Sequence, residues 1–394
     1  MIRTHKIELK PNNSQLAYLN QSAGVARFAY NWALAKWRDD YESYKTKPFL
    51  CGKIAPSSVK YEGEIRKHLN SIKRENFPWM IEVSKYVPQQ AIINLGRAFE
   101  NFYSKRAKFP KFKQKGVRDS FEIGSDVVTV NGKYIKFPKV KPIKMKENLR
   151  FDGSIRTVVI SRTAGKWFVS ISVEVDHKSI VTSKNHAIGI DVGIKSFVTM
   201  FDGKNYFSSK KLKPYKNLEN KIKVFSRRLS KKQIKSNNRQ KARVKLAKLH
   251  SRVANIRKDY LHKLTYDLTK NHSIIGIEDL CVKSMVKNRF LSKSILDASF
   301  FEFRRQLTYK AELYGSKIVV ADRFFPSTKM CSCCGYKMEK INLSVRSWDC
   351  PSCKTNHNRD ENAANNLYKN AVSSTVWACG DTHQWNININ LLIF

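Results

Sequence analysis

Two carboxylates in this sequence stand in the same setting. Asp191 follows the apolar run AIGI (187–190) two residues after Gly189, and Glu278 follows SIIGI (273–277) two residues after Gly276. Side chains alternate across a strand, so glycine and acid share one face while the isoleucines point to the other. A glycine beside a carboxylate clears space next to it, which suits the approach of a metal ion or a phosphate. Either acid alone could simply close a strand in a turn, but the recurrence of the pattern favours a divalent-metal pair. A third acid, Asp360, opens the helical stretch HNRDENAANNLYKN, where Ala363, Ala364 and Leu367 make a close-packing face. It reads either as an N-cap or as a carboxylate delivered from a helix end to the two strand acids. Three carboxylates can hold two Mg²⁺ ions, one activating water and one stabilising the leaving oxygen of a phosphodiester. Asp279 and Glu361 adjoin the chosen acids and could replace them; Glu278 is preferred because it shares the Gly276 face.

The second chemical pattern is Cys331-x2-Cys334, fifteen residues, then Cys350-x2-Cys353. Each Cys-x-x-Cys forms a knuckle presenting two thiolates, and two knuckles complete a tetrahedral sulfur site that selects Zn²⁺. With all four positions filled by cysteine there is no open coordination site, so this zinc is structural. Cys333 is one residue too close to Cys331 for the usual knuckle, and His357 is a reserve rather than a ligand. Cys51, Cys281 and Cys379 read as ordinary thiols.

These residues must be placed by a chain of 394 residues, 42% hydrophobic and carrying a formal net charge of +42. The length allows two or three domains with real cores. The charge calls for a polyanion, and nucleic acid leads because binding phosphates releases counterions. A membrane partner is not expected: the basic residues are spread along the chain, and no run of about 18 apolar residues could span a bilayer. MIRTHKIELK lacks a signal-peptide core, and crowded cysteines fit metal binding in a reducing compartment, so a cytoplasmic location is expected.

In chain order, residues 1–10 alternate as a short strand, with Ile2, Ile7 and Leu9 among polar neighbours. Helices are expected over about 11–44, 59–74 and 84–107, with a Lys-rich loop near 45–60. FPKFKQKG (109–116) interleaves rings and lysines, either as a strip for bases and phosphates or as a loop with its aromatics tucked inward. From 119 to 176 the period becomes two, with turn signals at Asn131-Gly132 and Ala164-Gly165, which predicts a small β-barrel. FVTM with Asp202-Gly203 continues the Asp191 strand as a hairpin. Residues 210–270 carry 21 Lys and Arg against three acids. There Leu249, Val253, Ile256, Tyr260, Leu264 and Leu268 mark one packed helix face and leave a charged one for nucleic-acid backbone. The Glu278 strand, a linker KSMVKNRFLSKS, a helix over about 297–314 and the strand KIVVA (317–321) follow. This mixed layout is compatible with an RNase H-like core.

Taken together, GIDVGIKSFV, GIEDL, YKAELYG, FPSTKMCSCCG, VRSWDCPSC and HNRDENAANN resemble the TnpB (OrfB) family of transposon-encoded proteins, relatives of type V CRISPR effectors. The likeness reaches back to HKIELKPNNSQLAYLNQSAGVARFAYN and covers nearly everything to about residue 372. It implies a multidomain α+β protein: an RNase H-like (RuvC) nuclease domain with a zinc-ribbon insertion, and an N-terminal wedge β-barrel with an inserted helical recognition domain. The corresponding boundaries are 1–10 and 109–182 for the wedge, 11–108 for the helical domain, 183–330 and 356–372 for the nuclease, 331–355 for the ribbon and 373–394 for a flexible tail. The resemblance implies an RNA-guided, Mg²⁺-dependent DNA endonuclease whose acids fall on Asp191, Glu278 and Asp360. Its partners would be a guide RNA from the transposon end and target double-stranded DNA, with no protein oligomer required and a nucleoid association when DNA is bound. A Lys-aromatic-x-x-Gln signature for the target-adjacent motif falls on Lys85, Tyr86 and Gln89, at a helix start that can also be read as merely half-exposed. The usual His-Asp-Arg-Asp reads His357-Asn358-Arg359-Asp360 here; the final Asp remains, so activity is expected to be retained, with metal affinity open to change. The alternatives are a nuclease-silent guided DNA-binding regulator and an unguided basic accessory of transposition.

Overall fold

The structure is a computed structural model that describes residues 1–46, 60–176, 186–194, 196–210, 216–290, 292, 299–342 and 344–376. Most of the Lys-rich loop expected near 45–60 lies outside these residues, as do Cys51, Cys379 and the tail from 377. The chain divides into two units, residues 1–177 with 231–248, and residues 178–230 with 249–394.

The first unit begins with β1 (Ile2–Lys10), after which the chain makes α1 (Asn13–Thr46), α2 (Lys60–Asn76) and α3 (Tyr86–Tyr103) before returning to sheet. Asn12 caps α1 by accepting the Gln15 N–H at 2.9 Å, as short polar side chains do at helix starts. Trp37 of α1 stacks on Phe99 of α3 with ring centroids 4.2 Å apart, and both are buried. Strands β2 (Ser120–Ile123), β3 (Thr129–Asn131), β4 (Tyr134–Lys136), β5 (Ile143–Met145), β6 (Ser154–Thr163) and β7 (Lys166–Glu174) follow. With β1 they form one seven-stranded sheet in the order β2-β6-β7-β1-β5-β4-β3. β1 lies antiparallel to both β7 and β5, so the first ten residues are held by strands far along the sequence. One expectation is corrected here. The pairings among the described residues run from β2 at one edge to β3 at the other without joining them, an open ladder rather than a closed barrel. Ile2 is 62% exposed while Ile7 and Leu9 are buried: a period of two puts even and odd positions on opposite faces, and His5 takes the inward place.

The second unit is built on a five-stranded sheet, β10-β9-β8-β11-β12. Its strands are β8 (Ala187–Val192), β9 (Ser196–Phe201), β10 (Tyr206–Lys210), β11 (Ile274–Ile277) and β12 (Lys317–Val320). The β9–β10 hairpin turns where Asp202 accepts the Lys204 and Asn205 N–H groups and Gly203 takes a φ of +97°. β11 is parallel to β8 and to β12. Between the hairpin and β11 come α4 (Lys216–Ser230) and α5 (Asn237–Asn271), and between β11 and β12 come α6 (Val282–Met285) and α7 (Phe300–Tyr314). The first three residues of the expected linker, Lys283 to Met285, thus belong to a short helix. Ile188, Ile190, Ile275 and Ile277 bury one sheet face against Leu261 and Leu268 of α5 and Phe300, Phe303 and Leu307 of α7. Buried polar groups tie those helices together: Lys310 donates to the His262 carbonyl at 2.6 Å and to the Thr265 hydroxyl at 2.9 Å. The other face receives α8 (Arg359–Val376), which continues past the expected boundary at 372. Among the described residues, no helix is long and apolar enough to cross a membrane.

Candidate active site and cysteine cluster

The two glycines that flag the strand acids have a different physical role from the one expected. A Cβ on Gly189 would stand 2.1 Å from the Ala364 carbonyl oxygen and 2.3 Å from the Tyr368 nitrogen. A Cβ on Gly276 would stand 2.5 Å from the Leu367 carbonyl oxygen. The room they clear is filled by the backbone of α8, whose Ala363, Ala364, Leu367 and Ala371 are buried. The missing side chains therefore serve helix-on-sheet packing, and that packing brings the start of α8, with Asp360, to the sheet.

Parallel pairing sets Gly276 beside Gly189 and Ile277 beside Ile190. One step further along both strands stand Glu278 and Asp191, at the carboxyl ends where parallel α/β sheets present their ligand sites. Asp191 is only 8% exposed. Burial pushes its carboxyl well above the ordinary value of 3.8, and the negative charges of Glu278 and then Asp360 push it the same way. Arg359 and the Val192 backbone amide oppose the rise without cancelling it. Burial also raises Glu278, against a hydrogen bond from Ser327 and the charge of Arg359. The Ser327 hydroxyl donates to Glu278 Oε1 at 2.5 Å. Asp360 lies 3.5 Å from Arg346 Nη1, an ion pair with both partners partly exposed.

The acid next to Glu278 is otherwise engaged. Asp279 is gripped by Arg304 at 2.5 Å and Arg323 at 2.7 Å, and those hydrogen bonds hold its carboxyl low. A carboxylate already neutralised by two guanidinium groups is a poor metal ligand; Glu278 meets only a neutral hydroxyl. At the helix start, the residue that departs from the usual pattern explains itself. Asn358 Oδ1 accepts the Asp360 N–H at 3.1 Å and the Glu361 N–H at 3.4 Å. Asn358 is therefore the N-cap, a role Asn and Asp fill equally well, and Asp360 is left for the site.

The cysteines form a cluster of their own. The sulfurs of Cys331, Cys334, Cys350 and Cys353 all lie within 4.8 Å of one another, the one such group of His, Cys, Asp and Glu among the described residues. Cys331 and Cys353 are 3.6 Å apart, as are Cys334 and Cys350. Four Zn–S bonds of about 2.3 Å in a tetrahedron require sulfur separations of about 3.8 Å, so the donor set fits zinc. Cys333 is exposed and outside the cluster. His357, buried on β14 (Asn356–Asn358) against Trp348 of β13 (Ser347–Asp349), places Nε2 2.9 Å from Cys331 Sγ. It reaches the cluster as a hydrogen-bond partner, a contact that spacing alone did not reveal.

The first unit carries the remaining predicted residues. Lys85 precedes α3 and is exposed, with Nζ 5.5 Å from the Tyr86 ring. Tyr86 donates its hydroxyl to Asp126, and Gln89 is half-buried. In FPKFKQKG, Phe109 is tucked inward, edge-on to Phe99 and Phe102, while Phe112 is 47% exposed.

Known proteins match this arrangement along its length. The family described as "Probable transposase" (OrfB_IS605) matches residues 170–289, "Cas12f1-like, TNB domain" residues 300–367, and a "Helix-turn-helix domain" of the OrfB type residues 1–46. "Putative RNA-guided DNA endonuclease InsQ" of Escherichia coli K12 is 31% identical, covering 97% of this chain and 95% of the relative. A "Putative RNA-guided DNA endonuclease" of Streptomyces pristinaespiralis is 35% identical, covering 96% of this chain and 91% of the relative. Identity at that level over almost the full length of both chains is a statement of common descent: the chain belongs to the TnpB (OrfB) family.

Proposed function

We propose that this chain is an RNA-guided DNA endonuclease that hydrolyses phosphodiester bonds at Asp191, Glu278 and Asp360, in an RuvC-like domain stapled by a zinc ribbon. One observation carries the reading. Parallel pairing sets Glu278 beside Asp191 at the carboxyl ends of β11 and β8, α8 packs against Gly189 and Gly276 of those strands with Asp360 in its first turn, and burial with the charges of Glu278 and Asp360 raises the Asp191 carboxyl. Such a cluster is costly as it stands and fits divalent cations by the chemistry of its donors. Magnesium held by these three residues would supply an activated water and charge stabilisation at the leaving oxygen. The protein's own groups do the rest. The rigid sheet fixes Asp191, the Ser327 hydroxyl fixes one oxygen of Glu278, and Asn358 caps the helix that presents Asp360. Cys331, Cys334, Cys350 and Cys353 would hold zinc as a structural staple.

The net charge of +42 and the basic helices α4 and α5 support nucleic-acid partners: a guide RNA from the transposon end and duplex target DNA. Lys85, Tyr86 and Gln89, at the start of α3, would meet base edges of a target-adjacent motif. The protein would act in the cytoplasm, at the nucleoid when DNA is bound, as a single chain with its RNA. To test this, the chain is purified with its co-transcribed RNA, the RNA is sequenced, and a matched duplex is offered with Mg²⁺. Cleavage by wild type that vanishes in Asp191→Ala supports the proposal. Tight target binding without nicking would identify a guided regulator instead, and specific DNA affinity without any defined RNA would identify an unguided accessory.

A further inference from the structure

The segment between β12 and the first cysteine knuckle touches both the acids and the last helix. Ser327, 4% exposed, sits in a turn where Lys329 and Met330 N–H groups bond to the Pro326 carbonyl at 3.0 and 2.9 Å. Its backbone carbonyl accepts from Asn366 at 2.8 Å and from Asn362 at 3.3 Å. The Met330 carbonyl accepts from the same two amides at 2.7 and 2.8 Å, and Asn362 Oδ1 takes the Ser332 N–H at 2.8 Å. Both asparagines are buried, 2% and 1% exposed, and stand four residues apart on one face of α8. Buried amides satisfied on both sides by backbone specify one geometry, because any other leaves polar groups without partners.

We infer that Ser327 is a positioning residue for Glu278, and that Asn362 and Asn366 hold Ser327 in place from the helix that begins with Asp360. The hydroxyl occupies Glu278 Oε1 and leaves the other oxygen for a cation. Being neutral, it orients the carboxylate without cancelling the charge that a cation needs, in contrast to the two arginines on Asp279. A helix that carries one acid and, through a loop, aims another fixes their separation. That separation is what two ions between carboxylates demand.

This inference rests on the metal-site reading above, and the test separates the two. The full chain with its copurified RNA is titrated with Mn²⁺ and free Mn²⁺ is read by electron paramagnetic resonance. Single-turnover cleavage is then measured across Mg²⁺ concentrations. Ser327→Ala is expected to weaken Mn²⁺ binding and raise the half-saturating Mg²⁺ by about ten- to a hundredfold, the range typical of lost outer-shell hydrogen bonds. Zinc content and target binding in EDTA should stay at wild-type levels, which a general structural defect would not allow. Asn366→Ala should shift metal affinity in the same direction, and its effect should not add to that of Ser327→Ala, since both act through one contact. If wild type and Asp191→Ala bind Mn²⁺ alike, the metal-site reading fails and this inference with it. If Asp191→Ala loses Mn²⁺ while Ser327→Ala keeps wild-type affinity and Mg²⁺ dependence, only the positioning role is overturned. Additive effects of Ser327→Ala and Asn366→Ala would overturn the clamp.

Discussion

Replacing Gly189 by alanine adds one methyl group at the tightest point of the second unit. That carbon would meet three backbone atoms of α8: the Ala364 carbonyl oxygen at 2.1 Å and the Tyr368 nitrogen and Cα at 2.3 and 2.8 Å. None can rotate away, so the helix itself has to retreat from the sheet by about 1 Å before the contacts reach those seen in packed proteins. Overpacking of this kind costs about 1–3 kcal/mol. For a unit of this size that lowers the melting temperature by roughly 2–4 °C per kcal/mol. The larger consequence falls on Asp360, which starts the displaced helix. A misplacement of about 1 Å at a reacting centre can reduce turnover about a hundredfold. Gly63→Ala is the control: it lies in α2 with nothing within 4 Å of its added carbon, and should stabilise by roughly 0.5–1 kcal/mol as glycine-to-alanine changes in helices do. Differential scanning fluorimetry and single-turnover cleavage read both effects. A Gly189→Ala protein that melts with wild type but binds Mn²⁺ weakly would refute the packing argument and restore the simpler one, that the glycine makes way for a metal. Wild-type melting together with wild-type cleavage would refute both.

Other outcomes follow from the same geometry. Asp191 has a folded-state pKa raised above its ordinary 3.8, so the stability it contributes is present below 3.8 and lost as pH rises through the raised value. In Mg²⁺-free buffer, thermal stability should therefore decline from about pH 3.8 up to the raised value more steeply in wild type than in Asp191→Asn and level off above it, and Mg²⁺ should lessen the decline. Cys350→Ser should take zinc from about one atom per chain to none by elemental analysis and lower the melting temperature of the second unit, because a structural metal's binding energy is folding energy. Arg346→Ala should leave melting almost unchanged, since a half-exposed ion pair contributes at most about 1 kcal/mol; a fall in cleavage with unaltered target binding would then assign its guanidinium to the phosphate. Gln89→Ala should reduce discrimination at one position of the target-adjacent motif by about 10- to 150-fold, read by cleavage of a randomised flanking library, with general DNA affinity retained.

Much of this site is legible in the residues because its constraints are local. The Cys-x-x-Cys spacings determine two knuckles, and the apolar runs ending in Asp191 and Glu278 determine strands, since both are set within a few residues by backbone geometry. The apolar face of α5 and the charge of +42 announce a packed helix and a polyanionic partner for the same reason. Other features needed contacts between segments far apart. Which face β1 buries depends on β7, residues 166–174, so no local pattern reveals that Ile7 and Leu9 turn inward while Ile2 stays exposed. The purpose of Gly189 and Gly276 depends on a helix more than eighty residues away, whose backbone fills the space they leave. That Asp279 is already engaged could be seen only once Arg304 of α7 and Arg323 of the turn after β12 met it, and the contact of Ser327 with Glu278 depends on a loop bonded to Asn362 and Asn366. Sequence determined which groups have the chemistry; long-range packing decided which of them meet, because electrostatic and hydrogen-bond energies fall away within a few ångströms and only the folded chain sets those distances.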